Sequence, residues 1–169
     1  MTVIEDGLSD FARLVAPVRR ELAAHRWVLS CREEYLLVPD HARSAILAES
    51  SEHASWKYVE GRFLEAVADG LIDEWWDFFA VEEPVENLDD WIHDFWDAAR
   101  SRSLAQYLTD RVSLFCAGID GSRWDFFAAD PAIVDAIYQN AIVQPGMRVR
   151  ATDLDELIRY TYYGGAQSR

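Results

Sequence analysis

The sequence predicts a helix-rich α+β fold with several amphipathic helices and a small antiparallel sheet. Three observations lead to this prediction. Several segments place apolar residues three or four positions apart, the spacing of one buried helix face. The pair Asp120-Gly121 separates two apolar runs and is typical of a β-hairpin, here near residues 112–128. The chain has 169 residues, half of them hydrophobic, which suits one compact domain over residues 1–169.

The first half of the chain is predicted to contain three helices and two short strands. Helical spacing of apolar residues marks the helices, and short apolar runs bounded by polar residues mark the strands. Pro17 interrupts the first helix, and Asp40 is suited to cap the second. In order, the elements are a helix over residues 8–25, strands at 26–31 and 34–40, a short helix over 40–47, and a helix from Tyr58 to Phe79.

The second half is predicted to contain three further helices, the hairpin and one more strand. Asn87 can cap a helix from Leu88 to about Leu108, with Trp91, Ile92 and Phe95 on its buried face. The strands of the hairpin carry Cys116 and Phe126. Asp130-Pro131 indicates the start of a helix to about residue 143, "MRVRA" a strand, and Thr152 with Asp155 the start of a last helix to about Tyr163.

One stretch, "DEWWDFFAVEEPVENLDDWIHDFWD" at residues 73–97, combines ten carboxylates with seven large aromatic side chains. No Lys or Arg occurs between Phe63 and Ala99, although surface helices usually gain from acid–base pairs one turn apart. Burying an unpaired carboxylate costs several kcal/mol, so these acids should face water or a partner. The stretch therefore predicts one contiguous negative surface.

The spacing of these charges resembles that of a nucleic acid. A helix of 25 residues spans about 37 Å, so ten charges would fall about every 3.7 Å along it. Phosphates on one strand of B-DNA lie about 3.4 Å apart. Tryptophan at the rim of such a surface would add an anchor for a protein partner.

These features predict a small acidic, non-catalytic binding or inhibitor protein. Its partner would be a basic protein, most naturally a nucleic-acid-acting enzyme. Antirestriction and anti-CRISPR proteins that mimic DNA work in this way, as do immunity proteins against nuclease toxins. The predicted partner-binding residues are Asp73, Glu74, Asp77, Glu82, Glu83, Glu86, Asp89, Asp90, Asp94 and Asp97, with Trp76 and Trp96.

The overall charge excludes other partners. A net charge of −14, from 30 acids and 16 bases, opposes direct binding of nucleic acid or of an anionic membrane. No phosphate-binding, nucleophile or zinc motif is present, so no cofactor, metal or catalytic residue is predicted. The N-terminus does not resemble a signal peptide and every apolar run is short, so a cytoplasmic location is expected. Cys31 and Cys116 are expected to be buried thiols.

Other functions stay open at this point. Asp90, His93, Asp94 and Asp97 share one helix face and, with Asp73 and Asp77, could hold a divalent metal in a hydrolase. Exposed aromatic side chains would also suit a subunit of a larger assembly. Finally, an acidic surface is expected of any chain adapted to high salt, with no partner required.

Overall fold

The computed structural model describes residues 2–5, 11–30, 40–67, 76–119 and 123–163. Eight strands within these ranges form one antiparallel sheet, so the prediction of a helix-rich fold with a small antiparallel sheet is wrong. The strands are β1 (Thr2–Glu5), β2 (Arg26–Ser30), β3 (Ile46–Glu49), β4 (Trp56–Glu60), β5 (Trp76–Val81), β6 (Val112–Ile119), β7 (Arg123–Ala128) and β8 (Met147–Arg150). Their order across the sheet is β3-β4-β2-β5-β6-β7-β1-β8.

Eight α-helices accompany the sheet in the described part of the chain. They are α1 (Phe11–Val15), α2 (Arg19–Ala24), α3 (Asp40–Arg43), α4 (Arg62–Val67), α5 (Leu88–Arg100), α6 (Leu104–Arg111), α7 (Pro131–Ile142) and α8 (Leu154–Tyr162). A 3₁₀ turn at Ala16–Val18 contains Pro17 and separates α1 from α2, which confirms the predicted interruption of the first helix.

Helices cover both faces of the sheet and create two cores. On one face α1–α4 and α7 pack on a core that includes Trp27, Phe78 and Trp124. On the other face α5, α6 and α8 pack on a core centred on Phe79 and Phe115, whose rings stack with centroids 5.2 Å apart. Strands buried on both faces have near-continuous apolar sequences without the alternation that identifies a half-exposed strand.

This double burial explains why the predicted helix from Tyr58 to Phe79 is wrong. Its described residues form the end of β4, α4 and the beginning of β5. In β5, Phe78 faces the first core and Phe79 the second, so its apolar residues are adjacent and resemble a helical pattern. Gly61 follows β4 and lies against the end of α2. A side chain would not fit there, because a Cβ would lie 2.4 Å from the carbonyl oxygen of Ala23.

The predicted helix from Leu88 to about Leu108 is two helices. Trp91, Ile92 and Phe95 are buried as predicted, but α5 ends at Arg100. The amide of Ser103 donates to the carbonyl of Ala98, and that of Arg102 to the carbonyl of Ala99. This is a Schellman motif with Arg102 at the left-handed position, φ 58°. The usual sequence signal, a glycine at that position, is absent.

Most other predicted elements are confirmed, with shifted ends. The strands β2, β6, β7 and β8 lie where predicted, and the Asp130 side chain caps α7 at the amide of Ala132. The cap of α8 is Asp153, whose side chain accepts from the amide of Glu156, rather than Thr152. The predicted helix over 40–47 is limited to α3 and is followed by β3, and β1 was not predicted. The strand at 34–40 and the Asp120-Gly121 turn lie outside the described residues, except for Asp40, which begins α3.

Two smaller predictions concern cysteine and membranes. Cys116 is a fully buried free thiol, as predicted, and burial raises its pKa. Cys31 lies outside the described residues. Among the helices that the structure describes, none is long and apolar enough to cross a membrane.

Candidate functional site

The predicted acidic residues divide into several groups in the structure. Asp73 and Glu74 lie outside the described residues. Asp77 faces the interior on β5. Trp76 is 1% exposed in the first core, so its predicted place at a binding surface is wrong. Trp96 is 37% exposed on α5, as predicted. The other predicted acids lie between β5 and the end of α5.

A groove of about 600 Å³ brings most of these acids together. Its walls are the segment between β5 and α5, the first turns of α5 and the end of α6. Trp91 and Val85 lie at its apolar part, beside Val81 and Pro84. Six acidic side chains line it: Glu82, Glu83, Glu86, Asp90, Asp94 and Asp110. We call this feature the acidic groove.

Local hydrogen bonds hold the walls of the acidic groove. The side-chain oxygen of Asn87 accepts from the amides of Asp89 and Asp90 at 3.0 and 3.4 Å, which caps α5 as the sequence predicts. The amide of Val85 donates to the hydroxyl of Tyr58 on β4 over 3.3 Å. The segment between β5 and α5 is therefore attached to the sheet at its centre and to the helix at its end.

Asp89 and Asp97, predicted to bind a partner, already have partners within the chain. Asp89 accepts hydrogen bonds from the hydroxyls of Ser50 and Ser51, and these bonds lower its pKa. Asp97 pairs with Arg100 and lies 3.4 Å from Nδ1 of His93; the hydrogen bond from Arg100 is the main cause of its lowered pKa. Neither carboxylate lines the acidic groove.

Arg111 is the one base that lines the acidic groove among the described residues. Its guanidinium lies 5.0 Å from the ring centroid of Tyr107 and 3.8 Å from a carboxylate oxygen of Asp94. The Tyr107 hydroxyl donates to the carbonyl of Trp91 over 3.3 Å, which fixes the ring. The groove thus holds one guanidinium between an aromatic ring and a carboxylate, and leaves five other acids around it.

A second depression, of about 570 Å³, lies behind the Glu82–Pro84 wall and includes His25 and Arg26. Burial lowers the pKa of His25, and the charge of Glu82 only partly offsets this effect. Burial therefore disfavours the charged form of His25 beside the acidic groove.

The Asp/His face of α5 does not form a metal site in the structure. His93 and Asp97 are exposed and contact each other, while Asp77 faces the covered side of the sheet. Across the described ranges, no group of three or more His, Cys, Asp or Glu side chains is placed to hold a metal ion. Asp73, another predicted ligand, lies outside the described residues.

Asp110 and Arg111 were not predicted as site residues. They reach the acidic groove because the chain turns at Arg102 and α6 returns beside α5. A straight helix through residues 88–108 would have placed them far from Asp90. Since no glycine marks the turn, the sequence carries no local signal for their position.

Comparisons of the chain with protein-family models, with curated proteins and with solved structures find no match. The function must therefore be inferred from the side chains.

Proposed function

We propose that the protein is a non-catalytic binding or inhibitor protein whose acidic groove receives an arginine- or lysine-rich segment of a protein partner. The observation that carries this proposal is the concave arrangement of six carboxylates, with Arg111 as the one base among the described residues that line the groove. Concentrated negative charge in a cleft raises the local concentration of basic partners and their rate of association. Trp91 and Val85 supply apolar contact within the same groove.

The surroundings of Arg111 indicate which kind of group the groove would bind. Its position between Tyr107 and Asp94 shows that guanidinium stacking and carboxylate pairing fit together in this wall. Glu82, Glu83, Glu86 and Asp90 are exposed, and no described base pairs with their side chains. They are the acids available to further basic side chains.

The shape favours an inhibitor of the immunity type over a DNA mimic. The DNA-like spacing assumed one helical row of charges across residues 73–97, whereas residues 76–81 form a strand whose one acid points inward. DNA presents its phosphates on a convex surface, while these acids line a concave one. A protruding basic loop, such as those with which nucleic-acid-acting enzymes hold phosphates, is therefore the proposed target.

A peptide of nine arginines tests the proposal without knowledge of the partner. The groove variant carries Glu82→Gln, Glu83→Gln, Glu86→Gln and Asp90→Asn. The control variant carries Glu21→Gln, Glu52→Gln, Glu65→Gln and Asp135→Asn, four exposed acids outside the groove. Both variants change the formal net charge from −14 to −10, since four charges are removed.

We expect the groove variant to bind the peptide at least about tenfold more weakly than wild type at low salt, because the removed charges surround the ligand. The control variant should lose much less affinity. Wild-type binding should weaken steeply as salt screens the charges. Equal losses in the two variants would mean that only net charge matters and would refute the groove as the binding site.

A further inference from the structure

The ion pair of Asp94 and Arg111 lies at the border of two depressions. Both side chains line the acidic groove, and both also line a further depression of about 720 Å³ whose wall includes Tyr107. The two side chains are 53% and 52% exposed, and the paired atoms are 3.8 Å apart. An ion pair this long and this exposed adds little stability. Little free energy is therefore lost when Arg111 turns away from Asp94 towards the further depression.

The ring of Tyr107 is fixed in place beside this pair. Its hydroxyl donates to the carbonyl of Trp91 over 3.3 Å, and the rings of Tyr107 and Trp91 meet edge to face with centroids 5.9 Å apart. Trp91 is itself only 7% exposed and belongs to the core beneath α5. The guanidinium carbon of Arg111 lies 5.0 Å from the centroid of the Tyr107 ring. A rigid aromatic face and a carboxylate thus hold the same guanidinium.

An aromatic face beside a carboxylate suits a guanidinium better than an ammonium. A guanidinium is planar and weakly hydrated, so it stacks on a ring while its N–H groups donate to a carboxylate. The ammonium of lysine is a compact and strongly hydrated charge that does not stack in this way. The position of Arg111 shows that one guanidinium reaches both groups at once.

We propose that Tyr107 and Asp94 form a subsite for one arginine of the basic partner, and that Arg111 fills this subsite until the partner displaces it. The inference rests on the proposed function, because the subsite borders the acidic groove, and it narrows the partner to a segment that contains arginine. The other acids of the groove attract any basic side chain through charge, whereas the subsite distinguishes arginine from lysine. Arg111 is then an internal competitor that lowers the affinity of the protein for arginine more than for lysine.

The test compares a peptide of nine arginines with a peptide of nine lysines, whose affinities for the full chain are measured by fluorescence anisotropy at low salt. Arg111→Gln removes one positive charge, which tightens the binding of both peptides, and it also empties the subsite, which favours arginine alone. We therefore expect the preference for arginine, given by the ratio of the two dissociation constants, to be about threefold greater in this variant than in wild type. Arg43→Gln makes the same charge change outside the groove and should leave the ratio unchanged.

Further substitutions in the Arg111→Gln background locate the preference. Asp94→Asn should lower the ratio again by about the same factor, as should Tyr107→Leu, because each removes one half of the subsite. Asp90→Asn removes the same charge elsewhere in the groove, so it should weaken the binding of both peptides and leave their ratio intact. Since the side chain of Asp94 is half exposed, its replacement tests the subsite even if Tyr107→Leu does not fold.

The outcomes separate the subsite from the groove as a whole. The same ratio in wild type and in Arg111→Gln would overturn the subsite, because Arg111 would then act through its charge alone, while the acidic groove would remain the binding site. Equal ratios in the double variants with Asp94→Asn and with Asp90→Asn would overturn it as well. If the nine-arginine peptide binds wild type no more tightly than the groove variant, the proposed function fails, and the subsite fails with it.

Discussion

The hydroxyl of Ser50 donates to a carboxylate oxygen of Asp89 over 2.5 Å. Ser51 donates to the other oxygen through its hydroxyl, so one carboxylate joins the N-terminus of α5 to the turn between β3 and β4. The hydroxyl of Ser50 also accepts from the amide of His53 over 2.8 Å within that turn. Asp89 therefore stabilises the contact between α5 and the β3–β4 turn, although the sequence predicts it as a partner-binding residue.

We expect Asp89→Asn to lower the melting temperature by about 3 °C, a typical effect of a mildly destabilising change in a domain of this size. The two serines donate to different oxygens of the carboxylate, and Asn replaces one of these oxygens with an NH₂ group, which cannot accept. Asp90→Asn is the matched control, because Asp90 is exposed and its side chain accepts no hydrogen bond from the described residues. Equal melting temperatures for the two variants, measured by circular dichroism, would show that the serine contacts add no stability.

Asp77 should make the protein less stable as pH rises. Its pKa is about 7 in the folded chain and about 3.8 when exposed. Between these values the unfolded chain has lost a proton that the folded chain keeps, so stability decreases from about pH 4 to pH 7 and is then level. The shift of about three units corresponds to a loss of up to about 4 kcal/mol.

The variant Asp77→Asn removes this titration. Its free energy of unfolding, measured by urea denaturation, should therefore increase relative to that of wild type as pH rises from 4 to 8. A constant difference between the two proteins over that range would contradict the raised pKa of Asp77.

The turn between α5 and α6 offers a test of the fold. Arg102 holds a left-handed backbone conformation, φ 58°, which a side chain makes unfavourable by about 1 kcal/mol. Arg102→Gly should therefore raise the free energy of unfolding by about that amount. Arg102→Ala removes the same charge without adding backbone freedom, so it should have little effect. A glycine variant less stable than the alanine variant would be inconsistent with a Schellman motif here.

Local sequence patterns predict the elements that face water on one side. Trp91, Ile92 and Phe95 are recognisable on α5 because the opposite face is charged. The strands β6 and β7 were recognisable for a different reason, the Asp120-Gly121 pair between their apolar runs, although β6 is buried on both faces. The same rules fail for β5, where Phe78 and Phe79 enter different cores. Which faces are covered is a property of the assembled sheet, and local spacing contains no information about it.

Local sequence patterns likewise predict only part of the candidate site. Exposure of Glu82, Glu83, Glu86 and Asp90 follows from the scarcity of nearby bases, so it could be predicted. The partners of Asp89 lie about forty residues earlier in the chain, and Arg111 reaches Asp94 only through the turn at Arg102. Long-range contacts of this kind decide which acids remain available to a partner.

Arg111 should compete with a basic ligand for the acidic groove. Arg111→Gln removes the guanidinium from Asp94 and Tyr107, so we expect the nine-arginine peptide to bind about three- to tenfold more tightly. Arg43→Gln is the control, since it makes the same charge change at an exposed pair outside the groove. Identical affinities of the two variants, measured by fluorescence anisotropy, would argue against a role for Arg111 in the groove.

The most direct test of the proposed function is the location of the bound arginine peptide. Amide chemical shifts of the ¹⁵N-labelled protein would be followed by NMR during titration at moderate salt. We predict that the largest changes fall at residues 82–94 and 110–111, around the acidic groove. Changes spread evenly over exposed acids elsewhere, such as Glu21, Glu52 and Asp135, would contradict the groove as a binding site and leave the acidity as a general surface property.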